Sequence, residues 1–211
     1  MNQVTTRVKA VPIGVKLQPF QSDLERFKAP DCAALIMQRS IPNKTVQWLT
    51  ELPVDKLPSG RVTAAVDELR YVIEQICSIG KMPRCAERSW LEADILEMAE
   101  RFADLMGARY LRLRLDVIST NACRKFHRDA VTARLICTYR GSATQIGNAS
   151  NDQDPHIIKQ IPSGTPILLR GTLWSEHPYS HLVHRSPPIE GTGENRLLLV
   201  IDTAESPHDP I

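Results

Sequence analysis

In Cys123-Arg-Lys-Phe-His-Arg-Asp129 a histidine and an aspartate stand two positions apart, at His127 and Asp129. On an extended strand residues i and i+2 point to the same side, so an imidazole and a carboxylate would project together into one space. A third ligand from a distant strand would complete a two-histidine, one-carboxylate face, which suits ferrous iron and leaves coordination positions open. His184, inside Leu-Val-His-Arg-Ser-Pro-Pro (182–188), is the candidate for that third ligand. Arg196 follows at the head of an apolar run, Arg196-Leu-Leu-Leu-Val-Ile-Asp202.

Outward from this stretch the pattern is that of strands. Leu111, Leu113, Leu115 and Val117 alternate with Arg112, Arg114 and Asp116, as in a half-buried strand. Further strands are expected at 132–139, 143–146, 156–161, 166–170, 182–184 and 196–202. Short strands joined by Gly, Pro, Ser and Asn turns predict an antiparallel sandwich or barrel. Upstream of residue 108 the strongest signals are helical. One helix is expected at 44–52, capped by Asn43 and closed by Pro53. A second is expected at 62–79, where Val62, Val66, Leu69, Val72, Ile73 and Ile76 recur at helical spacing. A third opens with the capping box Ser89-Trp-Leu-Glu92, carries Leu91, Ile95, Met98, Ala99, Phe102 and Leu105, and ends at Gly107. An edge strand suits 11–17 and a helical turn suits 22–27, while 31–39 fits strand or helix equally. The expected fold is α+β: a helical N-terminal part (1–107) buttressing a jelly-roll-like metal-binding core (108–203), with a tail (204–211), all in one compact unit.

Composition bounds the function. The 211 residues are 42% apolar and 24% charged, with a formal net charge of +2, so nothing in bulk charge favours nucleic acid. Apolar runs are too short to span a bilayer, and 1–16 lacks the continuous apolar segment of a secretory signal, so the cytoplasm is the expected location. Five cysteines, an odd number without a Cys-x-x-Cys pair, argue against a disulfide framework or a zinc knuckle. There is no Gly-x-Ser-x-Gly elbow, phosphate loop or dinucleotide fingerprint.

Three further segments agree with the His-x-Asp. Arg134-Leu-Ile-Cys-Thr-Tyr139 resembles the oxygenase strand whose tyrosine reaches a cosubstrate carboxylate. Ser163-Gly164 followed by Thr-Pro-Ile-Leu-Leu-Arg170 resembles the strand before the distal histidine, although the usual Gly-Asp is Gly164-Thr165 here. Asn195 to Asp202 resembles the last strand, which carries an arginine. In this order the segments resemble the Fe(II)/2-oxoglutarate-dependent oxygenases of the double-stranded β-helix type. That resemblance implies Fe(II) held by His127, Asp129 and His184, and 2-oxoglutarate clamped by a bidentate Arg196 fork with Tyr139 as a second donor. Arg185 is the competing arginine, but beside His184 on a strand it would face the other way. More specifically, Phe126-His-Arg-Asp129, 134–141, His184-Arg-Ser-Pro-Pro188 and 196–202 resemble the bacterial proteins grouped as domain of unknown function 1826. Members of that group often accompany genes of the zinc-starvation response, which implies a link to zinc homeostasis.

Two other classes compete. Cys123, His127, Asp129, Cys137, His177, His181 and His184 offer ligands for Zn(II), with Glu176 as the nearby base that hydrolysis would need. Cys123 and His127 share a face only on a helix, Pro178 opposes a helix joining His177 to His181, and His181 on a strand faces away from His184. The third class is a non-catalytic jelly-roll binding module with Trp174, Tyr179, Arg124, Lys125 and Arg128 as interface. Taken singly, His127 and Asp129 suit a solvated loop, His184 a strand histidine and Arg196 an ion-paired arginine. The substrate, small molecule or protein, is not specified by any of these residues.

Overall fold

The computed structural model describes residues 11–150, 153–175 and 180–209. Among them ten strands form: β1 (Val15–Pro19), β2 (Ala34–Gln38), β3 (Gly60–Ala65), β4 (Tyr110–Ile118), β5 (Ala133–Arg140), β6 (Gln145–Asn148), β7 (Lys159–Gln160), β8 (Ile167–Arg170), β9 (Leu182–Arg185) and β10 (Arg196–Ala204). Three α-helices accompany them: α1 (Asn43–Glu51), α2 (Leu69–Ile79) and α3 (Ala86–Met106). Seven strands pair in the order β1-β2-β8-β5-β10-β4-β3, and three in the order β7-β6-β9.

Two apolar clusters explain the layering. Leu111, Leu113 and Leu115 of β4, Leu197, Leu199 and Ile201 of β10, and Leu135 and Cys137 of β5 join Leu91, Ile95 and Phe102 of α3 in one core. The intervening residues Ile136, Leu198 and Val200 meet Ile146 and Leu182 of the small sheet in the other. Helices, large sheet and small sheet therefore form three layers, with β5 and β10 covered on both faces. Burying both faces removes the alternating pattern and leaves the continuous run Leu197 to Ile201.

The partition into a helical N-terminal part and a strand-rich remainder does not hold. β1 and β2 extend the large sheet beyond β8, and β3 extends it beyond β4. β1 is an edge strand, as expected, though it pairs parallel to β2. The expected helix at 62–79 is a strand, a 3-10 turn (Val66–Glu68) and a shorter α-helix. Gly60 to Ala65 pairs antiparallel with Leu115 to Tyr110, and the helix starts only at Leu69. α3 begins at Ala86 rather than beside Ser89, whose hydroxyl bonds back to the Cys85 carbonyl one turn earlier. It ends where expected, at Gly107 in the left-handed region (φ +62°). Strand pairing at 156–161 is confined to β7. No helix of the described residues is long and apolar enough to cross a membrane.

Candidate metal centre

His127 and His184 sit opposite each other as an isolated antiparallel bridge beyond β9. The His127 N–H donates to the His184 carbonyl at 2.9 Å, and the His184 N–H donates back at 3.0 Å. Such a doubly bonded pair sends both side chains to one side, and the ring centroids lie 4.5 Å apart. Asp129 completes the group: its Oδ1 lies 3.4 Å from His127 Nε2 and its Oδ2 3.2 Å from His184 Nε2. The three ligand atoms fall within 4.8 Å of one another, a spacing that could hold one metal ion.

The surroundings fix the chemistry of each atom. His127 Nδ1 lies 2.9 Å from the Lys125 carbonyl. A carbonyl only accepts, so Nδ1 carries the hydrogen and the neutral ring turns its Nε2 lone pair toward Asp129. Lone pair then faces carboxylate, a repulsive arrangement unless a proton or a cation lies between them. Arg134 Nη1 holds Asp129 Oδ1 at 2.6 Å, while its Nε and Nη2 form a fork on Asp202 at 2.7 Å each. Asp129 Oδ2 is buried, and its one polar neighbour among the described residues is His184 Nε2 at 3.2 Å, the other side of the prospective ligand set. Burial opposes charge on Asp129, yet the two imidazoles and Arg134 outweigh it and hold the carboxyl well below the usual range. Asp129 in turn raises the His127 pKa, against the opposing effect of burial.

The loop carrying Asp129 is held by the segment after β8. The Asp129 carbonyl accepts from Thr172 N–H at 2.8 Å, and the Thr132 carbonyl from Gly171 N–H at 3.0 Å. A Cβ on Gly171 would overlap the Val131 carbonyl and lie 2.8 Å from the Asp129 carbonyl oxygen. Gly171→Ala is therefore expected to destabilise the fold by about 1–3 kcal/mol in thermal denaturation and to weaken metal uptake by displacing Asp129.

Arg196, the first residue of β10, is 0% exposed. Its Nε donates to the Ser142 carbonyl, but Nη1 and Nη2 have no hydrogen-bond partner among the described residues. Burial pushes its pKa down to about 10, against the opposing pull of Glu194. A buried guanidinium whose nearby carboxylate, Glu194, makes no direct ion pair with it costs free energy that an anion hydrogen-bonded to Nη1 and Nη2 would offset. Gly141 makes room for it: an added Cβ would lie 3.0 Å from Arg196 Cγ, and the backbone there is left-handed (φ +78°). Strand alternation puts Arg196 on the small-sheet face with Leu198, whose partner across to β5 is Thr138. The Thr138 hydroxyl is also buried and unpartnered among the described residues.

The remaining candidates lie elsewhere. Tyr139, expected beside the cosubstrate, packs in the helix-side core and donates to Asp94 at 2.6 Å. Cys137 shares that face, 3.9 Å from Arg39, and burial pushes its thiol up to about 12. Arg185 stacks 4.4 Å over the Phe126 ring and donates to Gln145, turned away from His184. Cys123 is exposed and takes part through its carbonyl, which accepts from Ser186. His181 has a left-handed backbone (φ +48°) and is not one of the converging residues. Glu176, His177 and Tyr179 lie outside the described residues. Arg134 and Thr138 were not anticipated as site residues. For Thr138 the signal is its alternation with Ile136; the pairing of Arg134 with Asp202, 68 residues away, is visible only in the folded sheet.

A model of the family described as Protein of unknown function (DUF1826) matches residues 20–202. The chain belongs to that family. No curated protein matches this DUF1826 chain. Among solved structures, the dioxygenase for auxin oxidation 1 from Arabidopsis thaliana, in complex with 2-oxoglutarate, is similar over 84% of this chain and 85% of its own, at 12% identity and TM-score 0.47. A bsmA homolog from Methylobium petroleophilum is similar over 96% and 100%, at 12% identity and TM-score 0.48. JOX2 in complex with 2OG, Fe and JA is similar over 98% and 83%, at 12% identity and TM-score 0.48.

Proposed function

We propose that the protein is a mononuclear non-haem Fe(II)/2-oxoglutarate-dependent dioxygenase. The observation that carries it is the pairing of two features: three convergent ligand atoms, and a buried guanidinium with an open fork. Two imidazoles and one carboxylate, with no thiolate among the described members, form a face that suits Fe(II) and leaves positions for cosubstrate and dioxygen. His127, Asp129 and His184 would hold the iron. Arg196, with the Thr138 hydroxyl, would bind the distal carboxylate of 2-oxoglutarate in the bidentate geometry that lysine cannot copy. Bound iron and 2-oxoglutarate would together supply the oxidising power. The chain binds, orients and desolvates.

In that division of labour Arg134 is a positioning residue. It orients Asp129 through Oδ1, leaves Oδ2 to the metal, and is itself braced by Asp202. Lys125 fixes the His127 tautomer. A zinc hydrolase would use the same three ligands but gives Arg196 no role. It would also need a free base, and Asp202 is committed to Arg134.

The test is anaerobic calorimetry with 2-oxoglutarate added to iron-loaded protein. One equivalent is expected to bind, dependent on iron. Absence of binding, or binding equally tight without metal, would reject the assignment. Metal uptake should also follow pH. Both imidazoles must be neutral to coordinate, and the His127 pKa is raised, so affinity should fall as pH drops from about 8 to about 5.5. Affinity constant over that range would exclude histidine ligation.

A further inference from the structure

The small sheet covers only part of the large one. Its contact cluster takes in Ile136, Leu198 and Val200 from β5 and β10, but nothing from β3 and only the partly buried Ile118 from β4. On this overhang the same face changes character. Register places Arg114 beside Val200 and Asp116 beside Leu198, and then Arg61 beside Arg114 and Thr63 beside Arg112 on the outer strand. Arg61 and Arg114 therefore share this part of the strip with one aspartate, Asp116, while Arg112 stands beside Asp202. Asp116 partners both Arg61, at 3.3 Å, and Arg114, at 3.1 Å. Thr63 Oγ1 and Arg112 Nε are buried without hydrogen-bond partners among the described residues.

A cavity of about 460 Å³ opens on this strip, within the size range of small-molecule sites. Arg61, Arg114 and Asp116 form its charged wall, Ile118 and Leu198 its apolar one, and Ser186 its rim. Ser186 donates to the Cys123 carbonyl, two residues beyond His184 along the ladder that joins the two histidines. Leu198 is two residues beyond Arg196 on the same strand face. Ser186 thus sets one edge of the cavity two residues along the chain from His184, and Leu198 sets another on β10, while His127, Asp129 and His184 themselves do not line it. Arg196 does not line it and turns instead toward Ser142.

We infer that this cavity is the substrate site, and that the substrate is a small organic oxoanion, a carboxylate or phosphate ester with an apolar body. The assignment of substrate rests on the oxygenase proposal, whereas the oxoanion site stands on the cavity alone. Arg61 and Arg114 bind the anionic head in exchange for part of their hold on Asp116, and Ile118 and Leu198 contact the apolar body.

The test uses full-length protein, iron-loaded and saturated with 2-oxoglutarate under anaerobic conditions, titrated by calorimetry with hexanoate, hexyl phosphate and hexanol. At least one anion is expected to bind saturably, and hexanol at least about tenfold more weakly. Arg61→Met and Arg114→Met should each weaken the anion about tenfold, whereas Asp116→Asn should tighten it, a change that misfolding does not mimic. The affinity for 2-oxoglutarate should stay unchanged in all three variants. The stronger of the two anions identifies the head group. Equal binding of hexanol, failure of both anions, or indifference to all three substitutions would overturn the inference. A loss of 2-oxoglutarate affinity in Arg114→Met would also overturn it by giving the cavity to the cosubstrate. Anion binding that persists with the same arginine dependence in protein unable to hold iron or 2-oxoglutarate would sink the oxygenase proposal and leave the oxoanion site standing.

Discussion

Arg196→Met is expected to weaken 2-oxoglutarate binding about a hundredfold while leaving iron stoichiometry intact, because two charge-assisted hydrogen bonds are lost together. The same substitution should not destabilise the protein. Arg196 is fully buried, and two of its three guanidinium nitrogens are unpartnered among the described residues. Replacing a buried charge that has no direct ion pair by an apolar side chain of similar length is neutral or stabilising by about 1–3 kcal/mol. The two signs together separate function from architecture. A structural arginine would lower the melting temperature when replaced and leave cosubstrate affinity alone. Chemical denaturation of the metal-free variant and calorimetry of the iron-loaded one read the two quantities independently.

His184→Ala should abolish stoichiometric metal uptake. Substitutions behind a metal ligand lower affinity about 10–100-fold, so loss of one of three ligands should exceed that. His184 is buried in β9 and its main chain bonds His127 in both directions, so alanine preserves the bridge while deleting the imidazole. Metal content after anaerobic reconstitution and desalting reads the effect. Full metal in this variant would remove His184 from the ligand set. The expected loss in His184→Ala contrasts with the retention expected in Arg196→Met, so the pair distinguishes the metal from its cosubstrate.

Part of the candidate site is legible in the sequence because its signals are local. His127 and Asp129, two positions apart, converge as expected, although only His127 makes a strand-like bridge and Asp129 lies in the loop after it, and the apolar run headed by Arg196 forms a buried strand. Tyr139 failed for a physical reason. β5 is buried on both faces, so its sequence carries no apolar alternation to tell one side from the other. Counting in twos from Ile136 puts Thr138 on the small-sheet side and leaves Tyr139 with the helices, where Asp94 receives its hydroxyl. Val62 failed differently: its spacing to Val66 and Leu69 is helical, but pairing with Leu113 of β4, distant in sequence, decides the conformation. β2 and β3 likewise take partners remote in sequence, β8 and β4, which local periodicity at 31–39 and 62–65 does not reveal. Ser89 matched a capping signature, yet α3 already spans it, and its hydroxyl bonds to the preceding turn.

Iron K-edge X-ray absorption of the anaerobically loaded protein tests the central claim most directly. Convergence of His127, Asp129 and His184 predicts one iron per chain, surrounded by nitrogen and oxygen with the multiple scattering of two imidazoles and no sulfur neighbour. A sulfur shell near about 2.3 Å, or the signature of fewer than two imidazoles, would contradict it and place the metal elsewhere.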